Sequence, residues 1–320
     1  MTAAKELHVV FGAGQVGPVL ARQLVSAGRA VRLVRRSGKQ LDLAGVQLIQ
    51  AEAGDAAAAA EAARGATVVY HCLNPAYSAA AWGAELPRLQ QSLIAAAGRT
   101  GARLVVLDNL YALGKPAGRT LTEALPLAPC SRKGEIRARL HQALGEAVAR
   151  GEVRAVTGRA SDFYGPGGLM TQFGDRFWKP ALAGKSIGGV VDPGTAHTYH
   201  FIPDVAAGLA ALGLDPEASG TFMLPCHPAE TTRQLVERFA AALGRPLALG
   251  RIPPFALKLL ALAVPILREV NEMAYQWEER FEVDDAKFRA RFRDRPAPRD
   301  EAARQTVAWA RAAFGGAGGG

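Results

Sequence analysis

The sequence predicts an α/β protein, a doubly wound parallel sheet with a smaller, interleaved C-terminal domain. Three observations carry this. Over the first half of the chain, short apolar runs alternate with longer amphipathic ones, the pattern that βαβ units write into a sequence. The stretch "HVVFGAGQVGPVLARQL", from His8, sets three glycines between a strand-like and a helix-like run. After about residue 165 the alternation gives way to turn-rich segments such as "YGPGG" and "VVDPGTAH".

Taken in order, "LHVVF" (7–11) reads as a buried strand. Val16, Leu20 and Leu24 then fall at i, i+4 and i+8, the stripe of a helix, which Gly28 closes in the C′ position. "AVRLV" (30–34), "VQLIQ" (46–50), "TVVYHC" (67–72), "RLVVLD" (103–108) and "VRAVTG" (153–158) read as further strands, with helices at 56–64, 84–99 and 132–150. In the last of these, Ile136, Leu140, Leu144 and Val148 form the expected buried stripe. "IPDVAAGLAALG" adds a helix, "GTFMLP" (220–225) a return strand, and 231–243 another helix. The expected domains are therefore 1–168 with return segments near 200–225, then 169–199 with 226–314, and a flexible glycine tail at 315–320. The apolar run "IPPFALKLLALAVPIL" (252–267) contains three prolines and Lys258, so it is too short and interrupted to span a bilayer.

The bulk properties restrict the function classes. The chain has 320 residues, 49% hydrophobic and 21% charged, with a formal charge of +9 and a mean hydropathy of +0.04. Its arginines are scattered, with no long basic run and no basic–aromatic interleaving, so the charge reads as a solvated surface and nucleic acid is not expected as a partner. Cys72, Cys130 and Cys226 are odd in number and form no CxxC pair, which argues against a disulfide framework or a zinc site. The opening "MTAAKELHVV" has no apolar segment of signal-peptide length, so a cytoplasmic protein without stable membrane insertion is expected.

The glycine stretch has the full setting of a dinucleotide fingerprint: strand, G-x-G-x-x-G, helix. Gly12 makes the tight turn, Gly14 lets backbone approach a pyrophosphate, and Gly17 lets helix pack close to strand. Gln15 and Val16 complete the turn, and the first amides of the helix hold the anion. An NAD site places an acid about 20 residues on. Here Arg35 and Arg36 stand at that position, and guanidinium groups clamp a 2′-phosphate, so NADP is expected over NAD. Asp55, after the third strand, is a candidate adenine ligand.

With these stretches in order, the chain resembles the short-chain dehydrogenase/reductase superfamily, in its extended or atypical branch, the NAD-dependent epimerase/dehydratases. "VVYHCLNPAY" (68–77) resembles the fourth strand and the cofactor-lining loop, which implies Leu73 and Asn74 as cofactor contacts. "VVLDNLYALG" (105–114) resembles the fifth strand, "GRASDFYGPGG" (158–168) the Arg-then-YGPG signature, and "HFIPDVAAGL" (200–209) the segment in which Asp204 matches the second Asp. The resemblance implies a Rossmann fold, NAD(P), a small-molecule substrate and, as often in that branch, a homodimer.

The resemblance also implies a Tyr-x-x-x-Lys pair with a Ser or Thr, and here the chain departs. Lys133 matches the Lys, and would hold the nicotinamide ribose, but Pro129 occupies the Tyr position. The Ser/Thr position falls near Asp108 or Asn109. Substitutes for the missing phenol are Tyr111, with Asn109 as hydrogen-bond donor, and His71 as a proton shuttle; Cys130, at the start of the Lys133 helix, is a weaker candidate. Substrate contacts are expected from Tyr77, Tyr164, Phe177 and His200. Because "GTAHTYHFIPD" lacks the Arg that grips a nucleotide diphosphate, and Phe173, Phe177, Trp178 and the run 252–267 are apolar, a largely apolar carbonyl or conjugated substrate is expected. Three readings stay open: an NADPH-dependent oxidoreductase, an epimerase or dehydratase with tightly held cofactor, and a non-catalytic NADPH-binding sensor or scaffold.

Overall fold

The computed structural model describes residues 5–37, 41–190, 193–251 and 265–315. The chain divides into two compact units, Met1–Gly114 with Leu127–Ala160 and Val205–Leu224, and Lys115–Pro126 with Ser161–Asp204 and Pro225–Gly320. Residues 115–126, expected in the first domain, cluster with the second unit, because Leu121 donates its N–H to Glu282 O at 2.7 Å and bridges to Val283. Of the apolar run 252–267, all but its last three residues lie outside the described residues, as do 316–320 of the tail.

The first unit is built on β1 (Leu7–Phe11), α1 (Gly17–Ser26), β2 (Ala30–Arg35), β3 (Val46–Gln50), α2 (Ala56–Ala62), β4 (Val68–His71), α3 (Ala79–Thr100), β5 (Arg103–Asp108), α4 (Arg132–Ala149) and β6 (Arg154–Arg159). A return strand, Gly220–Met223, follows helix Ile202–Leu214. These strands form one seven-stranded sheet in the order return strand–β6–β5–β4–β1–β2–β3, and every pair is parallel. The chain leaves β1 outward through β2 and β3, then returns to β4 on the other side. β1 and β4 are therefore the topological switch point, whose carboxyl ends are where an open α/β sheet receives its ligand.

Parallel strands covered on both faces must be apolar along their length, and Val9, Phe11, Val69, Leu104 and Val106 are all buried. They pack with Leu93, Ala96 and Ala97 of α3 and Leu144 and Ala147 of α4. The buried face of α4 differs from the expected stripe at its end: Val148 is 41% exposed and Ala147 is buried. Successive steps of four residues overshoot a 3.6-residue turn by about 40° each, so the contact line crosses from Leu144 to Ala147. At the sheet's far side, buried Arg103 donates to the carbonyls of Gly213 and Asp215, at the end of helix Ile202–Leu214, where a cation meets both orphan carbonyls and the negative end of the dipole.

The second unit has its own core. Phe173, Phe177, Trp178, Tyr199 and Phe239 interlock with centroid separations of 5.0–6.0 Å, and Ala302, Ala303, Val307 and Ala310 of helix Arg299–Phe314 pack onto them. Phe177 and Tyr164, expected to line a substrate pocket, are instead buried in this cluster. An aromatic at helical spacing next to Pro and Gly turns fills a core as readily as a pocket, and here it fills the core. Among the described residues, no helix is long and apolar enough to cross a membrane.

Candidate active site

Three glycines build the turn between β1 and α1, and two of them are explained by the chain itself. Gly12 takes φ +115°, and a Cβ on it would lie 2.7 Å from Cys72 O. A Cβ on Gly17 would lie 1.8 Å from Gly12 O. Gly14 is different: a Cβ there would meet no atom within 4 Å, and its φ is not in the left-handed region. Among the described residues nothing packs against that exposed position, so the backbone there is open to an approaching group. α1 begins beside it with no side-chain cap on Val16 and no acid in its first turn, leaving its first amides and the positive end of its dipole for an anion. Gln15 is half-buried and Val16 buried. These residues fit a dinucleotide's pyrophosphate.

Around this turn the remaining cofactor candidates take different places. Arg35 ends β2 and donates Nε–H to Ser37 O at 2.8 Å. Arg36 is exposed, its Nη1 4.0 Å from Glu85. Asp55, expected as an adenine ligand, is the N-cap of α2: its Oδ1 accepts from the N–H groups of Ala57 and Ala58 at 2.8 and 3.0 Å, and these bonds hold its carboxyl below the usual range. An Asp just before an alanine-rich run is a cap signal, and both of these cap bonds use the one oxygen, Oδ1. After β4, Leu73 N–H donates to His71 Nδ1 at 3.3 Å, and Asn74 Oδ1 accepts from Arg137 Nη2 at 2.9 Å.

Lys133 is fully buried in the first turn of α4, which Ser131 caps by accepting from Gly134 N–H at 3.0 Å. Gly134 is required there, since a Cβ would lie 2.5 Å from Tyr111 O. The Lys133 ammonium sits 5.0 Å from the centroid of the Tyr77 ring. Tyr77 and Tyr111 bring their hydroxyls to 3.2 Å, and both pack on Trp82, Tyr77 edge-on and Tyr111 stacked at 5.9 Å. Tyr111, Lys133 and Tyr77 are thus gathered in one place from the turn after β5, from α4 and from the loop after β4. Asn109 Oδ1 accepts from Tyr111 N–H at 3.1 Å, so its carbonyl shapes the turn that presents Tyr111.

Two sequence candidates are corrected. His71 is buried, and burial with the nearby Arg137 charge pushes its pKa down to about 4. With Nδ1 accepting from Leu73, it is a neutral structural imidazole and not a proton shuttle near neutrality. His200, expected at the substrate, is fully buried and accepts Ser161 N–H at 3.0 Å on Nδ1. Its neighbour His197 is also buried: Ser161 Oγ and Asp162 Oδ2 both meet its Nε2, at 3.0 and 2.9 Å. Its other ring nitrogen, Nδ1, meets Gln276 O at 3.3 Å, and Trp277 and Phe281 stack on the ring at 5.0 and 4.9 Å.

A group that sequence reasoning missed lies under α4. Asp108, at the end of β5, meets Arg137 Nη1 at 3.4 Å and Arg159 Nε at 3.3 Å, all three buried. The Arg137 guanidinium lies 4.7 Å from the centroid of the Trp82 ring. One signal was present: Arg137 follows Lys133 by four residues on the inward stripe, where an arginine needs a buried partner.

The sequence profile of the NAD dependent epimerase/dehydratase family matches residues 8–222, from the first strand to the return strand. The chain belongs to that family. It is therefore an NAD(P)-dependent enzyme of the oxidoreductase or epimerase/dehydratase type, with the family's Rossmann fold. No curated protein sequence matches it at a significant level. Solved structures of similar fold include the UDP-glucose 4-epimerase of Thermus thermophilus in complex with NAD, 20% identical with a TM-score of 0.76, covering 96% of this chain and 99% of that one. The UDP-N-acetylglucosamine 4-epimerase of Methanobrevibacter ruminantium, in complex with UDP-N-acetylmuramic acid, is 17% identical with a TM-score of 0.76, covering 95% and 97%. The UDP-glucose 4-epimerase of Thermotoga maritima, with UDP-glucose, is 16% identical with a TM-score of 0.77, covering 96% and 99%.

Proposed function

We propose that the protein is an NADPH-dependent oxidoreductase acting on a small carbonyl or conjugated substrate. The observation that carries the cofactor half is Gly14, a glycine that the protein's own packing does not require, beside an uncapped helix N-terminus at the switch point. When bound, the nicotinamide supplies or takes the hydride. Lys133 orients the ribose, Leu73 and Asn74 line the nicotinamide side, and Arg35 with Arg36 meets the 2′-phosphate. Residues Gly12 to Gly17 hold the pyrophosphate through backbone N–H groups.

The 2′-phosphate reading has a direct test. Charge-assisted hydrogen bonds are worth about 1.5–3 kcal/mol, so Arg35→Asp is expected to weaken NADPH by roughly 10–100-fold while NADH is little affected. Nicotinamide fluorescence titrations of the parent and the variant measure this. Equal losses for the two nucleotides would remove Arg35 from the 2′-phosphate site.

A second reading is supported by the comparisons: an epimerase or dehydratase that holds NAD(P) and re-reduces its own intermediate, as the names of the similar structures suggest. The two readings differ in stoichiometry. Steady NADPH consumption with a panel of carbonyls and quinones supports the first, and nicotinamide that survives purification without net consumption supports the second.

A further inference from the structure

We propose that Tyr77 and Tyr111 together are the proton donor and acceptor of this enzyme, in the role that Pro129 leaves without a phenol. The proposal rests on the redox reading above and assigns its proton chemistry. Four observations converge. The two hydroxyls are 3.2 Å apart, close enough for one to donate to the other. Both rings are held by the same buried Trp82, one edge-on and one stacked. Lys133, the lysine retained from the usual pair, stands over the Tyr77 ring at 5.0 Å. Neither phenol is sealed in, since both are only partly buried, unlike Tyr70, Tyr164 and Tyr199.

The elements around the pair bring more positive than negative charge. α4 supplies Lys133 and Arg137; Arg137 lies over the Trp82 ring and is close enough to Tyr111 for their charges to interact. β5 supplies the one acid of the group, Asp108, which is engaged by Arg137 and Arg159. The excess is cationic, and an oxygen anion formed on either phenol is stabilised by it.

In the reductive direction the step balances as follows. The substrate's carbonyl carbon takes hydride from reduced nicotinamide, which is oxidised, and the C=O π pair moves to oxygen. One phenol's O–H bond breaks and its proton forms the new O–H on that oxygen, leaving the electron pair on the phenolate. The second phenol passes its proton across the 3.2 Å contact and recovers one from water. Oxidation runs the same path backwards. The usual pair has one phenol beside its lysine; here two phenols from the loops after β4 and β5 share the task.

Spectrophotometric tyrosine titration of the full chain tests this without a substrate. The protein has six tyrosines; burial pushes Tyr70 and Tyr164 up, and Tyr199 to about 12, and Tyr275 is also buried, which leaves Tyr77 and Tyr111 as the two partly exposed phenols. One tyrosine equivalent is expected to ionise below about pH 10, the ordinary phenol value. That signal should vanish in both Tyr77→Phe and Tyr111→Phe, and move upward in Lys133→Met. NADPH fluorescence serves as the folding control and should be kept in both Phe variants. Persistence of the early signal in either Phe variant, with NADPH still bound, overturns the pair alone. Failure of the unaltered protein to bind NADPH or NADH overturns the redox reading itself, whatever the tyrosines do.

Discussion

Alanine at Gly17 should dismantle the glycine turn, and alanine at Gly14 should leave the protein intact but with a weakened hold on its cofactor. At Gly17 the added carbon would lie 1.8 Å from Gly12 O and 3.0 Å from Gly12 C. Both are backbone atoms, so no rotamer change relieves the clash; β1 and α1 must separate. Overpacking costs about 1–3 kcal/mol, and a backbone clash belongs at the upper end. A drop in Tm of roughly 5 °C or more should accompany loss of NADPH binding. At Gly14 no atom lies within 4 Å of the added carbon, so Tm should hold within about 1 °C, as for a surface change that touches nothing. The methyl would stand where backbone must approach the pyrophosphate, and affinity should fall by about tenfold or more, roughly 1.4 kcal/mol. Thermal unfolding beside a fluorescence titration separates the two cases. A Gly14→Ala protein that binds NADPH as tightly as the parent would place the phosphates elsewhere.

That contrast also shows which part of the site a sequence can carry. The glycine turn is local: strand, three glycines and helix lie within one short stretch, and each glycine has a role that spacing alone suggests. The parallel sheet was legible for a similar reason, since apolar runs and amphipathic stretches set the alternation without long-range knowledge. The Tyr77–Tyr111 contact was not legible as a pair, because its members are 34 residues apart and meet only once β4 and β5 lie side by side with Trp82 between their loops. Tyr164, Phe177 and His200 failed for the complementary reason. Their residue types suit a pocket and a core equally, and only the packing of the second unit puts them inside. His71 was read from its position at a strand end, but its protonation depends on burial, which position does not encode.

The charge group under α4 is the sharpest case of information that only the fold reveals, and it yields the largest expected effect on stability. Asp108 is the acid facing two buried guanidiniums, Arg137 and Arg159. Burial already pulls the Arg137 pKa down, opposed by the Asp108 charge. Removing that charge leaves two cations in a site that water does not solvate, and breaking a buried pair from one side costs about 3–5 kcal/mol. Asp108→Asn keeps the shape and one carbonyl acceptor, so its loss reports the charge; a Tm drop of roughly 5–10 °C is expected. Arg159→Met in the same protein removes one uncompensated cation with a side chain of similar length, and should recover part of that loss. The double variant should therefore be more stable than the sum of the single changes by about 1 kcal/mol or more, as neighbours sharing a partner require. Denaturant unfolding of the four proteins measures the coupling. Strict additivity would mean that Asp108 and Arg159 do not sense each other across the β5–β6 pair.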